Sequence, residues 1–68
     1  MKIIPQRYRV IYEIDAKDCR KESTFALAAM AEAERHPHAR LKMWIEEPYR
    51  ARHLHSEMVW DDGRWFYP

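Results

Sequence analysis

Asp62-Gly63 contains the only glycine of this 68-residue chain and sits between two runs of apolar, aromatic and charged residues, Met58-Val59-Trp60-Asp61 and Arg64-Trp65-Phe66-Tyr67. A two-residue type I′ turn needs positive φ at both central positions, which Asp and Gly tolerate, and its twist matches that of the strands it joins. The dipeptide therefore predicts a C-terminal hairpin. Counting outward pairs Asp61 with Arg64, Trp60 with Trp65, Val59 with Phe66 and Met58 with Tyr67. That register puts an opposite-charge pair beside the turn and two indoles across from one another, contacts worth a few tenths to about 1 kcal/mol each.

The upstream chain supplies what the hairpin pairs with and packs on. Residues 7–15 alternate so that Tyr8, Val10, Tyr12 and Ile14 share one face and Arg7, Arg9, Ile11 and Glu13 the other, the pattern of a half-buried strand. Lys17 to Lys21 is polar and reads as a connection to Ser23 or Thr24, either of which can cap the helix predicted over 25–35. That segment is alanine-rich and ends at His36-Pro37, because the residue before a proline is pushed out of the α region. Phe25, Leu27 and Met30 are expected to interleave with the aromatics of the sheet. Residues 41–46 alternate again, with Leu41, Met43 and Ile45 toward the helix and Lys42, Trp44 and Glu46 away from it. Residues 53–60 form the first hairpin strand, with Leu54, Met58 and Trp60 inward and His53, His55, Glu57 and Val59 outward. The expected fold is α+β: one compact domain over 1–68, order β-α-β-β-β, with a single helix packed on one face of a small, mainly antiparallel sheet.

Size and composition narrow the class further. A chain this short buries only about 60% of its unfolded surface, so a small core must draw on the nine aromatics. The lone Cys19 excludes an internal disulfide and points to a reducing compartment. No apolar run reaches membrane-spanning length, and Met1-Lys2-Ile3-Ile4-Pro5 is too short for a secretory signal, so the expected setting is cytoplasmic and soluble. The net charge of +1 marks neither a polyanion binder nor an acidic mimic.

One helix cannot cover both sides of such a sheet. The uncovered side collects Arg7, Arg9, Ile11, Lys42, Trp44, His53, His55, Val59 and Phe66, and within it Arg7, Arg9, Lys42, Trp44, His53, His55 and Phe66 are the candidate partner-binding residues. Exposed Trp and Phe with flanking Arg fit a protein partner. The leading expectation is a non-enzymatic protein-binding module acting stoichiometrically. Small phage- or plasmid-type inhibitors of host proteins, anti-CRISPRs among them, share this size and style. The alternative is single-stranded RNA or DNA, with bases stacked on the aromatics and phosphates held by the cations, although the chain lacks a ribonucleoprotein or GXXG motif. A small ribonuclease using His53 or His55 with Glu57, Arg50 and Arg52 is a remote third reading. The pairs His36/His38 and His53/His55 lack the spacing of established zinc motifs, so no metal, cofactor or catalytic set is expected, and Cys19 reads as a turn cysteine. A homodimer is conceivable if 42–46 or 66–68 presents an open strand edge. In this reading Trp44→Ala leaves stability nearly unchanged.

Overall fold

The computed structural model describes residues 7–68, and the reading of Met1 to Pro5 lies outside the described residues. The elements are β1 (Arg9–Ala16), β2 (Cys19–Ser23), α1 (Ala26–Ala33), β3 (Ala39–Glu46), β4 (His53–Asp61) and β5 (Arg64–Phe66). The strands form one antiparallel sheet in the order β2-β1-β3-β4-β5, with α1 packed on β1, β2 and β3. The α+β class, the single helix on one face and the hairpin at Asp62-Gly63 are as expected. The order gains a strand, becoming β-β-α-β-β-β.

The added strand is β2, the segment read as a polar connection. Lys17-Asp18 makes a two-residue turn, and pairs from Ala16↔Cys19 to Tyr12↔Ser23 follow. Cys-Arg-Lys-Glu-Ser has no β-branched or aromatic residue to announce a strand. It works as an edge because its charges find partners: Arg20 lies 3.6 Å from Asp15, and Lys21 hydrogen-bonds Glu32 on the helix. Polar, charged residues are also what keeps an edge strand from recruiting other chains. The bond from Lys21 holds the Glu32 carboxyl below its ordinary pKa range and the Lys21 ammonium above its own.

The helix sits on alanines. Ala29 and Ala33, one turn apart, are fully buried against Ile14, Ala39 and Leu41, with Tyr12, Met30, Trp60 and Trp65 closing the cluster. Small residues let a helix backbone approach a sheet closely. Larger residues are correspondingly turned out: Phe25 is 73% and Leu27 82% exposed, so the expected interleaving of these two with the sheet does not occur. Phe25 is the N-cap residue without a side-chain cap. Ser23 Oγ instead accepts from the Phe25 amide at 3.0 Å, one residue before the first helical position. The helix stops at Ala33, and the Arg35 and His36 amides donate to Glu32 and Ala33 carbonyls in a tighter final turn ahead of Pro37.

The hairpin register is the one counted from the turn, Asp61↔Arg64, Trp60↔Trp65 and Val59↔Phe66, although β5 ends at Phe66 and no Met58–Tyr67 pair forms. Asp62 and Gly63 both have positive φ, +51° and +76°. The indoles of Trp60 and Trp65 lie 5.2 Å apart at a 57° tilt, a favourable offset geometry. Trp65 Nε1 donates to Glu34 at 3.0 Å, and His38 reaches Asp61 at 3.0 Å. The hairpin is thereby tied to the end of the helix.

A β-bulge in β4 changes the parity of its first residues. The pairing runs Met43↔Ser56 and then Trp44↔Leu54, so His55 is the extra residue. Leu54 consequently shares the face of Trp44, and His53 shares the face of Ile45 on the helix side. This corrects the expected placement of both. β5 pairs only with Val59–Asp61, so among the described residues the stretch His53–Met58 has no strand on its outer side. The bulge falls within that stretch and blunts it. β3 lies between β1 and β4, so 42–46 is not an edge.

Ala33→Leu forces an isobutyl group between helix and sheet and is expected to cost about 1–3 kcal/mol, read as a lower denaturation midpoint at unchanged m-value. Leu27→Gln is expected to stay within about 0.5 kcal/mol. Equal losses would show that the helix is not seated on its alanines. Gly63→Ala is expected to cost about 1 kcal/mol from backbone strain, since no atom lies within 4 Å of the added methyl.

Candidate functional site

The face of the sheet opposite α1 is ordered in rows by the strand register. Ile11, Trp44 and Leu54 form one row across β1, β3 and β4. The next contains Glu22, Glu13, Lys42 and Glu57. The third contains Arg20, Asp15, Arg40, Val59 and Phe66. Arg9 and Glu46 pair at the end of the sheet beyond the apolar row.

Charges on this face are paired within it. Arg9 binds Glu46, Lys42 Nζ lies 3.3 Å from Asp15, and Arg40 lies 3.3 Å from Glu57. Trp44 Nε1 donates to Glu13 at 3.1 Å. Arg52, just ahead of β4, lies 4.9 Å from the Trp44 ring centroid and donates to Glu22 at 3.1 Å. The hydrogen bond to Glu22 raises the guanidinium's already high pKa further. Trp44 is thus held at its rim by a carboxylate and over its face by a cation. Arg9, Arg20, Arg40, Lys42, Arg52 and Arg64 stand against Glu13, Asp15, Glu22, Glu46, Glu57 and Asp61, six cations to six acids. The face is neutral and chequered.

Of the residues singled out from the sequence, Arg9, Lys42 and Trp44 come together on β1 and β3. Phe66 lies on the same side but two strands from Trp44, 39% exposed, with Arg64 5.0 Å over its ring. Arg7 is exposed ahead of β1. His55 is the bulge residue, and His53 is on the helix side. The two His pairs do not assemble. His36 turns to Asp18 and His38 to Asp61, at opposite ends of α1's neighbourhood from His53, which is eight residues up β4 from Asp61, roughly 26 Å of strand.

Two features are missing from the expected inventory of this face. Leu54, 45% exposed, was hidden by the bulge, which no residue pattern announces. The acids were legible, because the same alternation that turns Arg9, Lys42 and Val59 outward also turns Glu13, Glu46 and Glu57 outward. Asp15 follows the same parity, and Glu22 awaited the recognition of β2. Ile11, by contrast, is 6% exposed and belongs to the protein's own packing. It lines a recess with Phe25, Arg9 and Glu22.

No family model matches the chain, and no curated protein or solved structure is significantly similar to it. None of the helices is long and apolar enough to cross a membrane among the described residues.

Because Trp44 is half-buried and bonded to Glu13, its removal is expected to lower stability. Trp44→Phe and Glu13→Ala, each of which removes one partner of the bond, are each expected to cost about 1 kcal/mol. The double variant is expected to lose at least about 0.5 kcal/mol less than the sum. Strict additivity in a denaturation cycle would show that the indole–carboxylate bond does not form in solution.

Proposed function

We propose that the chain is a protein-binding module whose work is done by occupancy, not catalysis, with the open sheet face as its binding surface. The observation that supports this is the neutrality of that face. Five of its cations are matched by acids within hydrogen-bonding or ion-pair reach, and Arg64 lies over Phe66, so a nucleic-acid backbone would have to displace carboxylates to reach most of them. Among these exposed ion pairs the face also exposes large apolar side chains, Leu54 beside Trp44 and Phe66 beside Val59. Apolar anchors set in paired charges suit a protein surface of mixed charge, where alignment of the chequer gives specificity and the anchors supply most of the affinity.

Leu54 and Phe66 are better probes of this reading than Trp44, because both are exposed and outside the buried cluster. The tagged chain, used as bait in nuclease-treated lysate of its source, is expected to retain a protein that the double variant Leu54→Glu/Phe66→Glu loses. Calorimetry with the purified partner is then expected to show at least tenfold weaker binding by that variant at an unchanged melting temperature, a shallow salt dependence and a negative heat-capacity change. Recovery of partners only through nucleic acid, or undiminished binding by the double variant, would overturn the proposal.

A further inference from the structure

On the helix side of the sheet, three metal-ligating side chains from two separate segments converge. Cys19 opens β2, Glu32 lies in the last turn of α1, and His36 follows four residues later on the same side of that turn. One donor atom from each lies within 4.8 Å of the others. His36 Nε2 is 3.8 Å from Glu32 Oε2. The other ring nitrogen, Nδ1, is 3.1 Å from Asp18 Oδ1. A carboxylate on Nδ1 fixes the tautomer that leaves Nε2 free, the arrangement found behind metal-bound histidines. Glu32 gives Oε1 to Lys21 and keeps Oε2 toward the imidazole, although Arg35 also approaches Oε2 at 3.6 Å. The Cys19 thiol is half-buried at the edge of the core. These groups line one open recess.

We propose that Cys19 Sγ, Glu32 Oε2 and His36 Nε2 bind a zinc ion, with Asp18 holding the imidazole and water completing a tetrahedron. Thiolate and imidazole together favour zinc over the hard cations magnesium and calcium, which take oxygen ligands. Zinc bond lengths place tetrahedral ligand atoms roughly 3.3–3.6 Å apart, so the donor atoms need to close by only about an ångström. Thiolate, Glu32 and Asp18 supply three negative charges around the dication and offset the cations Lys21 and Arg35 at its margin. Bound there, the ion joins the β1–β2 turn to the end of α1, adding to the Lys21–Glu32 and Asp18–His36 pairs and to the packing of Cys19 on the core.

The test uses the full chain, kept reduced with a phosphine, and cobalt(II) as a spectroscopic stand-in for zinc. One cobalt per chain is expected, with a thiolate charge-transfer band in the near ultraviolet that zinc abolishes. Zinc at a hundredfold excess over its Kd is expected to shift the folding equilibrium about a hundredfold and raise the melting temperature. Cys19→Ser is expected to remove both the band and the thermal shift. Asp18→Asn, at an exposed side chain, is expected to keep the band and weaken binding about 10–100-fold. Absence of binding at micromolar metal would overturn the proposal, as would cobalt or zinc binding undiminished in Cys19→Ser, which would place the ion elsewhere. Unchanged affinity in Asp18→Asn would equally remove the assigned role of that carboxylate.

Discussion

The close seating of α1 on the sheet through Ala29 and Ala33 sets the dimensions of everything else. Methyl groups at those two positions bring the helix backbone down onto Ile14, Ala39 and Leu41, and Ile14 is the one large side chain fully buried there. A core this thin gains little from depth, so it relies on lateral closure. Trp60 and Trp65 close one flank, Tyr12 and Met30 add to the cover, and Cys19 borders it from β2. Each has a polar end or a position at the margin that keeps it from being fully enclosed, which is why Tyr12, Trp60 and Trp65 are half-buried.

Ties at the periphery compensate for that shallow centre. Lys21 to Glu32, Asp18 to His36, Trp65 to Glu34 and His38 to Asp61 connect the helix or the residues just after it to the strands or the β1–β2 turn. Individually, exposed pairs contribute little. Here they converge on one short helix and the residues after it, so they fix where its end lies relative to both the β1–β2 turn and the hairpin. The tilt of the hairpin and the position of the recess around Cys19 are settled by the same few contacts.

Much of this was legible because it depends on local rules. Asp62-Gly63 dictated a turn with two positive φ angles, and the turn dictated the pairs from Asp61–Arg64 to Val59–Phe66, though not the next pair, Met58–Tyr67. The alternation in 7–15 and 41–46 gave the correct faces for β1 and β3. Where the reading stopped, the cause was nonlocal. Cys19–Ser23 becomes a strand because β1 offers it an edge and Asp15 and Glu32 accept its cations, none of which its own composition reveals. The bulge at His55 arises where β4 is longer than the stretch of β3 it follows, and one inserted residue moves Leu54 to the outer face and His53 to the inner one. Phe25 and Leu27 were placed inside on size alone, whereas close packing selected the alanines.

β2 is also where the two surfaces of interest meet. Its outward residues, Arg20 and Glu22, belong to the chequered face; Glu22 anchors Arg52, and Arg52 covers Trp44. Its inward residues, Cys19 and Lys21, border the recess with Glu32 and His36. Period-two alternation largely separates these roles, since successive side chains of a strand lie on opposite sides of the sheet, although Arg20 at the strand's start also borders the recess. A partner seated over Trp44 and Leu54 therefore leaves the Cys19 side uncovered, and an ion held by Cys19 leaves the outer face intact. Coupling between them would have to pass through the backbone of five polar residues whose pairing with β1 is the weakest-declared element of the sequence. Ordering β2 by tying its first residue to α1 would steady Glu22, and with it the cation over Trp44, so the physical link between the two surfaces runs along this strand.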